Sequence, residues 1–210
     1  MLNIFCHGVI VPLLKSKHGD ATQIDMYRGI TLSPVISKLF ESVLLGVYED
    51  YSDSDNLQFV FLNSSCNHAM FVLHESIQYY TKYGAKVFGG FPDASKAFDK
   101  VLHNGLLLLN KNVPVSLVLL SKNWYSRLCC SIKSKGILGK CFQVLSGVRQ
   151  GKVLSPYLFG VYVDDLIADL RNSSYGIHVG SLFAGCLFHA DDIVLLSPTC
   201  YGLQRLVNIC

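Results

Sequence analysis

The strongest constraint on this chain is a pair of adjacent acids set between two apolar runs, Leu187-Phe188-His189-Ala190-Asp191-Asp192-Ile193-Val194-Leu195-Leu196. Each flank reads as a short buried strand, so the acids belong at the turn of an antiparallel hairpin. Two unit charges about 4 Å apart repel by about 4 kcal/mol at an effective dielectric near 20, so a cation is expected beside them. Taken alone, such a pair is more often a solvated turn. Two further segments change the odds: Phe91-Pro92-Asp93-Ala94-Ser95-Lys96-Ala97-Phe98-Asp99 puts a carboxylate at the end of an apolar strand, and the turn-rich run 147–156 (GVRQGKVLSP) feeds a helix. If Asp93 lies beside the Asp191-Asp192 turn, three hard oxygen ligands make a natural Mg²⁺ site, and two such ions suit an in-line displacement.

Composition bounds the remainder. Half of the 210 residues are apolar and 16% are charged, against a globular norm of about 25% charged, which excludes intrinsic disorder. A net charge of +3 neither proves nor excludes a nucleic-acid partner. The eight cysteines form no C-x-x-C pair, so they read as reduced, mostly buried thiols rather than a zinc ribbon or a disulfide scaffold. The most apolar stretch, Leu102 to Leu120, is interrupted by Asn110, Lys111, Asn112 and Pro114, too soon for a membrane span. The N-terminus carries its positive charges after its apolar run, unlike a signal peptide. An intracellular protein, nuclear or cytoplasmic and without a membrane partner, is expected.

Along the chain, Val9 to Leu14 and Ile30 to Leu32 read as strands, and Ser33-Pro34 as the cap and first turn of a helix with Val35, Ile36, Leu39, Phe40, Val43 and Leu44 at helical spacing. Asp50 to Asn56 is a polar loop. Cys66 to Tyr80 is helical, Lys86 to Phe91 a strand, and Ala94 to Leu109 and Val115 to Leu128 helices. Cys129 to Ile137 with Lys140 to Val144 suggests a hairpin, and Ser155-Pro156 starts another helix. Val179 to Leu196 reads as paired strands and Tyr201 to Cys210 as a helix. Interleaved helices and antiparallel strands without a repeat give an α+β class.

In order, FPDASKAFD, GVRQGKVLSP and FHADDIVLL resemble motifs A, B and C of the reverse transcriptase palm, most closely that of non-LTR (LINE-like) retrotransposon polymerases. Upstream, VPLLKSKHGD and YRGITLSPVISKLFE resemble the first two finger motifs, and LSPYLFGVYVDDL the helix after motif B. The resemblance implies a fingers-palm fold with an antiparallel palm sheet packed on helices, fingers-like over residues 1–84 and palm-like over 85–210. It implies an RNA-directed DNA polymerase adding dNTPs to a DNA primer on an RNA template, with two Mg²⁺ ions, or Mn²⁺, held by Asp93, Asp191 and Asp192. Phe98 falls where the family places the aromatic that excludes a ribose 2′-hydroxyl. Gln150 and Gly151 would line the incoming nucleotide, and Arg28 with Lys15 or Lys17 would grip its triphosphate. Tyr162-Val163-Asp164-Asp165 spells a competing form of motif C, but its spacing is helical, so Asp164 and Asp165 read as a solvated helix face.

Four positions depart from the pattern: Pro92 in what should be a central strand, Gly29 where proline is usual, Lys152 where a small residue is usual and a long side chain would have to snorkel out, and His189 in the usual tyrosine position. The length accommodates fingers and palm and leaves nothing for a thumb, so independent activity is an open expectation. The alternatives are a catalytically inactive retrotransposon-derived fragment that at most binds nucleic acid, and an unrelated domain with a chance Asp-Asp hairpin.

Overall fold

The computed structural model describes residues 6–16, 20–49, 55–59, 65–94, 97–101, 103, 114–148 and 151–210. Helices and mostly antiparallel strands alternate along them, an α+β architecture. The chain forms two compact units, each drawing on two stretches: Met1–Ser52 with Phe98–Leu158, and Asp53–Ala97 with Phe159–Cys210. These units interleave along the chain.

In the first unit β1 (His7–Leu14) has a neighbour on each side. It runs antiparallel to β2 (Tyr27–Leu32) and parallel to β4 (Cys129–Ser134). The far edge of β4 takes β5 (Ile137–Leu138) and β6 (Phe142–Gln143). The β4–β5 turn has positive φ at both central residues, 49° at Lys135 and 83° at Gly136, the mirror-image turn whose twist matches a hairpin.

Helix α1 (Val35–Glu49) turns inward only part of the expected apolar stripe, Phe40 and Leu44. Its inward stripe is Ser37, Phe40, Glu41 and Leu44, with Phe40 edge-on to Trp124 at 5.4 Å, while Val35, Ile36, Leu39 and Val43 are exposed. Lys152 explains the two polar residues on that inward face. It is 5% exposed, not snorkelled: its Nζ lies 2.8 Å from Glu41 Oε1 and donates to Ser37 Oγ at 3.0 Å. Glu41, 0% exposed, also accepts from the Val153 and Leu154 N–H groups at 2.9 and 3.4 Å through Oε2. It thereby caps helix α5 (Leu154–Asn172) from a distance and answers the positive end of its dipole. The Ser-Pro starts work differently from expectation. The Ser33 hydroxyl is buried without a partner, Pro34 C=O accepts from the Ser37 and Lys38 N–H groups, and Ser155 already lies inside α5. Of the expected helix Ala94 to Leu109, the described residues show α3 (Ala97–Lys100), with Ala94 and Val101 outside it and residues 104–109 not described; α4 (Val115–Tyr125) carries Trp124.

In the second unit β10 (Asp192–Ser197) is the middle of a three-stranded antiparallel sheet between β9 (Cys186–His189) and β3 (Phe88–Gly90). Leu196 joins Ile177 and Ala184 in a buried cluster against Leu73 and Tyr80 of α2 (Cys66–Lys82). The Tyr80 hydroxyl donates to His178 C=O and accepts its N–H, both at 3.1 Å, tying α2 to the small hairpin of β7 (His178–Val179) and β8 (Leu182–Phe183). The chain closes with α6 (Cys200–Ile209), whose Thr199 cap accepts from the Gly202 N–H at 3.0 Å. The Tyr162 to Asp165 run is helical, as its spacing predicts. Asp165 is exposed, but Asp164 is half-buried and accepts from the Asp55 N–H at 3.3 Å, while the Asp55 carboxylate takes Arg171 at 2.7 Å, so Asp164 is structural rather than solvated.

All eight cysteines are free. Cys6, Cys130 and Cys186 are buried, but Cys66, Cys141, Cys200 and Cys210 are exposed, which corrects the expectation of mostly buried thiols. Burial pushes the Cys186 thiol up to about 12, leaving it a packing group. Among the described residues no helix is long and apolar enough to cross a membrane.

Removing one partner of a buried ion pair strands the other charge. Lys152→Met should therefore cost about 3–5 kcal/mol in urea unfolding. Adding Glu41→Gln, which keeps an acceptor for the Val153 and Leu154 amides, should recover most of that loss.

Candidate functional site

The pairing of β10 decides where the acids go. Phe88 pairs with Ser197, Gly89 with Leu196 and Gly90 with Leu195. The ladder then lapses at Phe91-Pro92 and resumes in the same register as a single bridge, Asp93 opposite Asp192. Proline has no N–H to give, which accounts for the gap. Among the described residues β3 pairs only with β10, so Pro92 extends an edge strand, where proline is tolerated, and not a central one. Directly opposed residues present their side chains on one face with Cβ atoms about 4.5–5.5 Å apart, and like charges so placed are destabilising. Both carboxylates are exposed.

The hairpin turn is one residue earlier than the sequence implies. His189 pairs with Asp192, leaving Ala190 and Asp191 as the two turn residues, with Ala190 at φ 56°. A non-glycine residue in that region is under local strain. Asp191 is exposed at the tip, and His189 is half-buried. Asp93, Asp191 and Asp192 thus share one end of one sheet, Asp93 and Asp192 as bridge partners and Asp191 beside them. Their oxygens are not all within 4.8 Å of one another; among the described residues only His7, Cys129 and Cys141 bring three potential ligand atoms that close. The donor chemistry nevertheless fits a hard divalent cation, because two like-charged carboxylates are opposed on one strand pair and oxygen is what such an ion takes.

In the first unit, α3 is zipped to the segment that opens GVRQG. Phe98 C=O accepts from the Val148 N–H and Val101 C=O from the Gly147 N–H, each at 2.7 Å, while His103 Nε2 meets Gly147 C=O at 2.8 Å. Gly147 has φ 84°, and a Cβ there would fall 2.8 Å from Asp99 C=O, so both the turn and the approach require glycine. Phe98 is half-buried within this zip. Gly151 is exposed at φ 87°, its absent Cβ 3.5 Å from Thr31 C=O of β2. Arg28 is exposed on β2 opposite Leu13, and Lys15, also exposed, extends that ladder by donating its N–H to Met26 C=O at 2.9 Å. Alternation puts Lys15 and Arg28 on one face of the hairpin, a diagonal step apart. Gly29 sits opposite Pro12, where a Cβ would come 3.1 Å from Ile10 Cγ2, so the absence of a side chain suits the hairpin. Lys17 and Gln150 lie outside the described residues. His103 and Glu41, which hold the two ends of the 147–154 segment, were not singled out from sequence. For Glu41 the one signal was an acid inside the apolar stripe of α1.

The reverse transcriptase (RNA-dependent DNA polymerase) family profile matches residues 15–210. The chain is 35% identical over 118 residues to the retrovirus-related Pol polyprotein from type-2 retrotransposable element R2DM of Drosophila melanogaster, covering 55% of this chain and 11% of that protein. It is 28% identical over 195 residues to the RNA-directed DNA polymerase from mobile element jockey of Drosophila funebris, covering 84% of this chain and 20% of that one. The chain therefore spans a fifth or less of these relatives' length. Apo telomerase from Candida Tropicalis, truncated from its C-terminal domain, superposes with a TM-score of 0.65 at 15% identity, over 98% of this chain and 46% of that one. Telomerase from Candida albicans in complex with a TWJ fragment of telomeric RNA gives 0.59 at 13% identity, over 100% and 40%. With the profile running from Lys15 to the last residue and relatives among non-LTR retrotransposon polymerases, the chain belongs to the reverse transcriptase family.

Proposed function

We propose that this chain is the part of an RNA-directed DNA polymerase that holds its nucleotidyl-transfer centre, acting on an RNA template, a DNA primer and dNTPs. The observation that carries the reading is the Asp93–Asp192 bridge, two exposed carboxylates opposed on one strand pair with Asp191 at the adjoining turn. Asp93, Asp191 and Asp192 would hold two Mg²⁺ ions, which when bound activate an attacking 3′-hydroxyl and stabilise a leaving pyrophosphate. Arg28 offers a bidentate fork and Lys15 a point charge for phosphate oxygens. Gly151, without a side chain, lets a nucleotide approach backbone closely. Phe98, its backbone fixed through Val148, supplies a rigid ring against a ribose 2′ substituent. The telomerase–RNA complex with the same fold supports nucleic acid as the partner class.

Primer extension on an RNA template is the direct test. Asp93→Asn and Asp191→Ala should lower Mg²⁺-dependent extension by about 10²-fold or more, because a lost cation site forfeits several kcal/mol of transition-state stabilisation. Extension indifferent to both changes overturns the assignment, and an inactive wild type favours the inactive-fragment alternative. A readout independent of activity is thermal melting at low salt. In metal-free buffer Asp192→Asn should melt above the wild type because the opposed charge is gone, and Mg²⁺ should raise the wild type while leaving the variant in place. For Phe98, replacement by Ala should raise ribonucleotide incorporation relative to deoxyribonucleotide in a competition assay, with little change in dNTP use.

A further inference from the structure

A second constellation lies in the first unit, built from residues far apart in sequence. The parallel pairing of β1 with β4 sets His7 directly beside Cys129. On the other edge of β4, Cys129 pairs with Gln143 of β6, and Cys141 lies two residues before that partner. Two paired strands and the residue leading into a third therefore deliver one imidazole and two thiols to one end of the sheet, and the three ligand atoms all lie within 4.8 Å of one another. A tetrahedral zinc with Zn–S of about 2.3 Å and Zn–N of about 2.0 Å holds its ligand atoms about 3.5–3.8 Å apart, so side-chain rotation closes the difference. His7 and Cys129 are half-buried and Cys141 is exposed, which leaves a path for an ion to enter. Ser131 Oγ, 3.4 Å from His7 Nε2, is placed to fix the ring as a hydrogen-bond partner commonly does for a ligating histidine. No C-x-x-C spacing announces the site, because its geometry comes from strand pairing.

We propose that His7, Cys129 and Cys141 form a Zn²⁺ site that staples β1, β4 and the approach to β6, with water in the fourth position. Binding converts two thiols to thiolates and releases two protons, so a divalent ion with two thiolates and a neutral imidazole leaves the site uncharged. Zinc is favoured over the hard cations proposed for the aspartates because thiolate and imidazole donors are soft. The site is independent of the polymerase reading.

The test is zinc stoichiometry on the full chain, purified under reducing conditions, dialysed against Zn²⁺ and passed through a desalting column. About one equivalent is expected by elemental analysis, and Co²⁺ in its place should give a thiolate-to-cobalt charge-transfer band. Cys141→Ser, at an exposed position and so tolerable to the fold, should abolish retention and the band. Ser131→Ala should weaken binding by about 10–100-fold. Cys66→Ser and Cys200→Ser, at exposed positions elsewhere, should bind like wild type, as should Asp93→Asn. Zn²⁺ should raise the melting temperature of the wild type and not of Cys141→Ser. Absence of retained zinc in the reduced chain, equal retention by Cys141→Ser, or a Cys129–Cys141 disulfide as the only change at this corner overturns the proposal.

Discussion

The register of β10 is the constraint on which the acidic site rests. β10 has partners on both edges, and because alternate residues face opposite sides, a slip of β10 by one position would turn Asp192 away from Asp93 and Leu196 out of its apolar cluster. The apolar residues hold the register and the carboxylates ride on it. Leu195 is 0% exposed and Leu196 is 2% exposed, so burial in this sheet stabilises the placement of two like charges that by themselves would separate. Charge repulsion and apolar burial pull in opposite directions across one strand pair, and the longer buried part of the strand wins.

The first unit solves a related problem differently. A lysine and a glutamate are both enclosed there, and the cost of desolvating them is offset by a short ion pair, a serine hydroxyl and two helix amides. The same glutamate sets where α5 begins. The loop ahead of α5 is thus held at both ends, by His103 and the backbone of α3 on one side and by Glu41 on the other.

Much of this was legible in the residues. The hairpin around Asp191-Asp192, the helical setting of Asp164-Asp165 and the strands at β1 and β2 follow from local periodicity and from the order of motifs. What escaped were pairings between distant segments. The inward face of α1 was only half legible: Phe40 and Leu44 belong to the apolar stripe and are turned inward, but that Ser37 and Glu41 are buried while Val35, Leu39 and Val43 are exposed depends on Lys152, more than a hundred residues on. Pro92 read as a fault because an edge strand cannot be told from a central one in sequence. The turn lay one residue off because Ala190 adopts a backbone conformation its residue type does not advertise. The meeting of His7 with Cys129 depends on a parallel pairing across more than a hundred residues, which leaves no local signal at all.

The enclosed Lys152–Glu41 pair also bears on how such a chain changes over time. A lysine and a glutamate enclosed together share a common fate, because loss of either leaves the other as an uncompensated buried charge. Either substitution alone carries the cost of a stranded charge, whereas the two together remove it, so their effects are strongly non-additive.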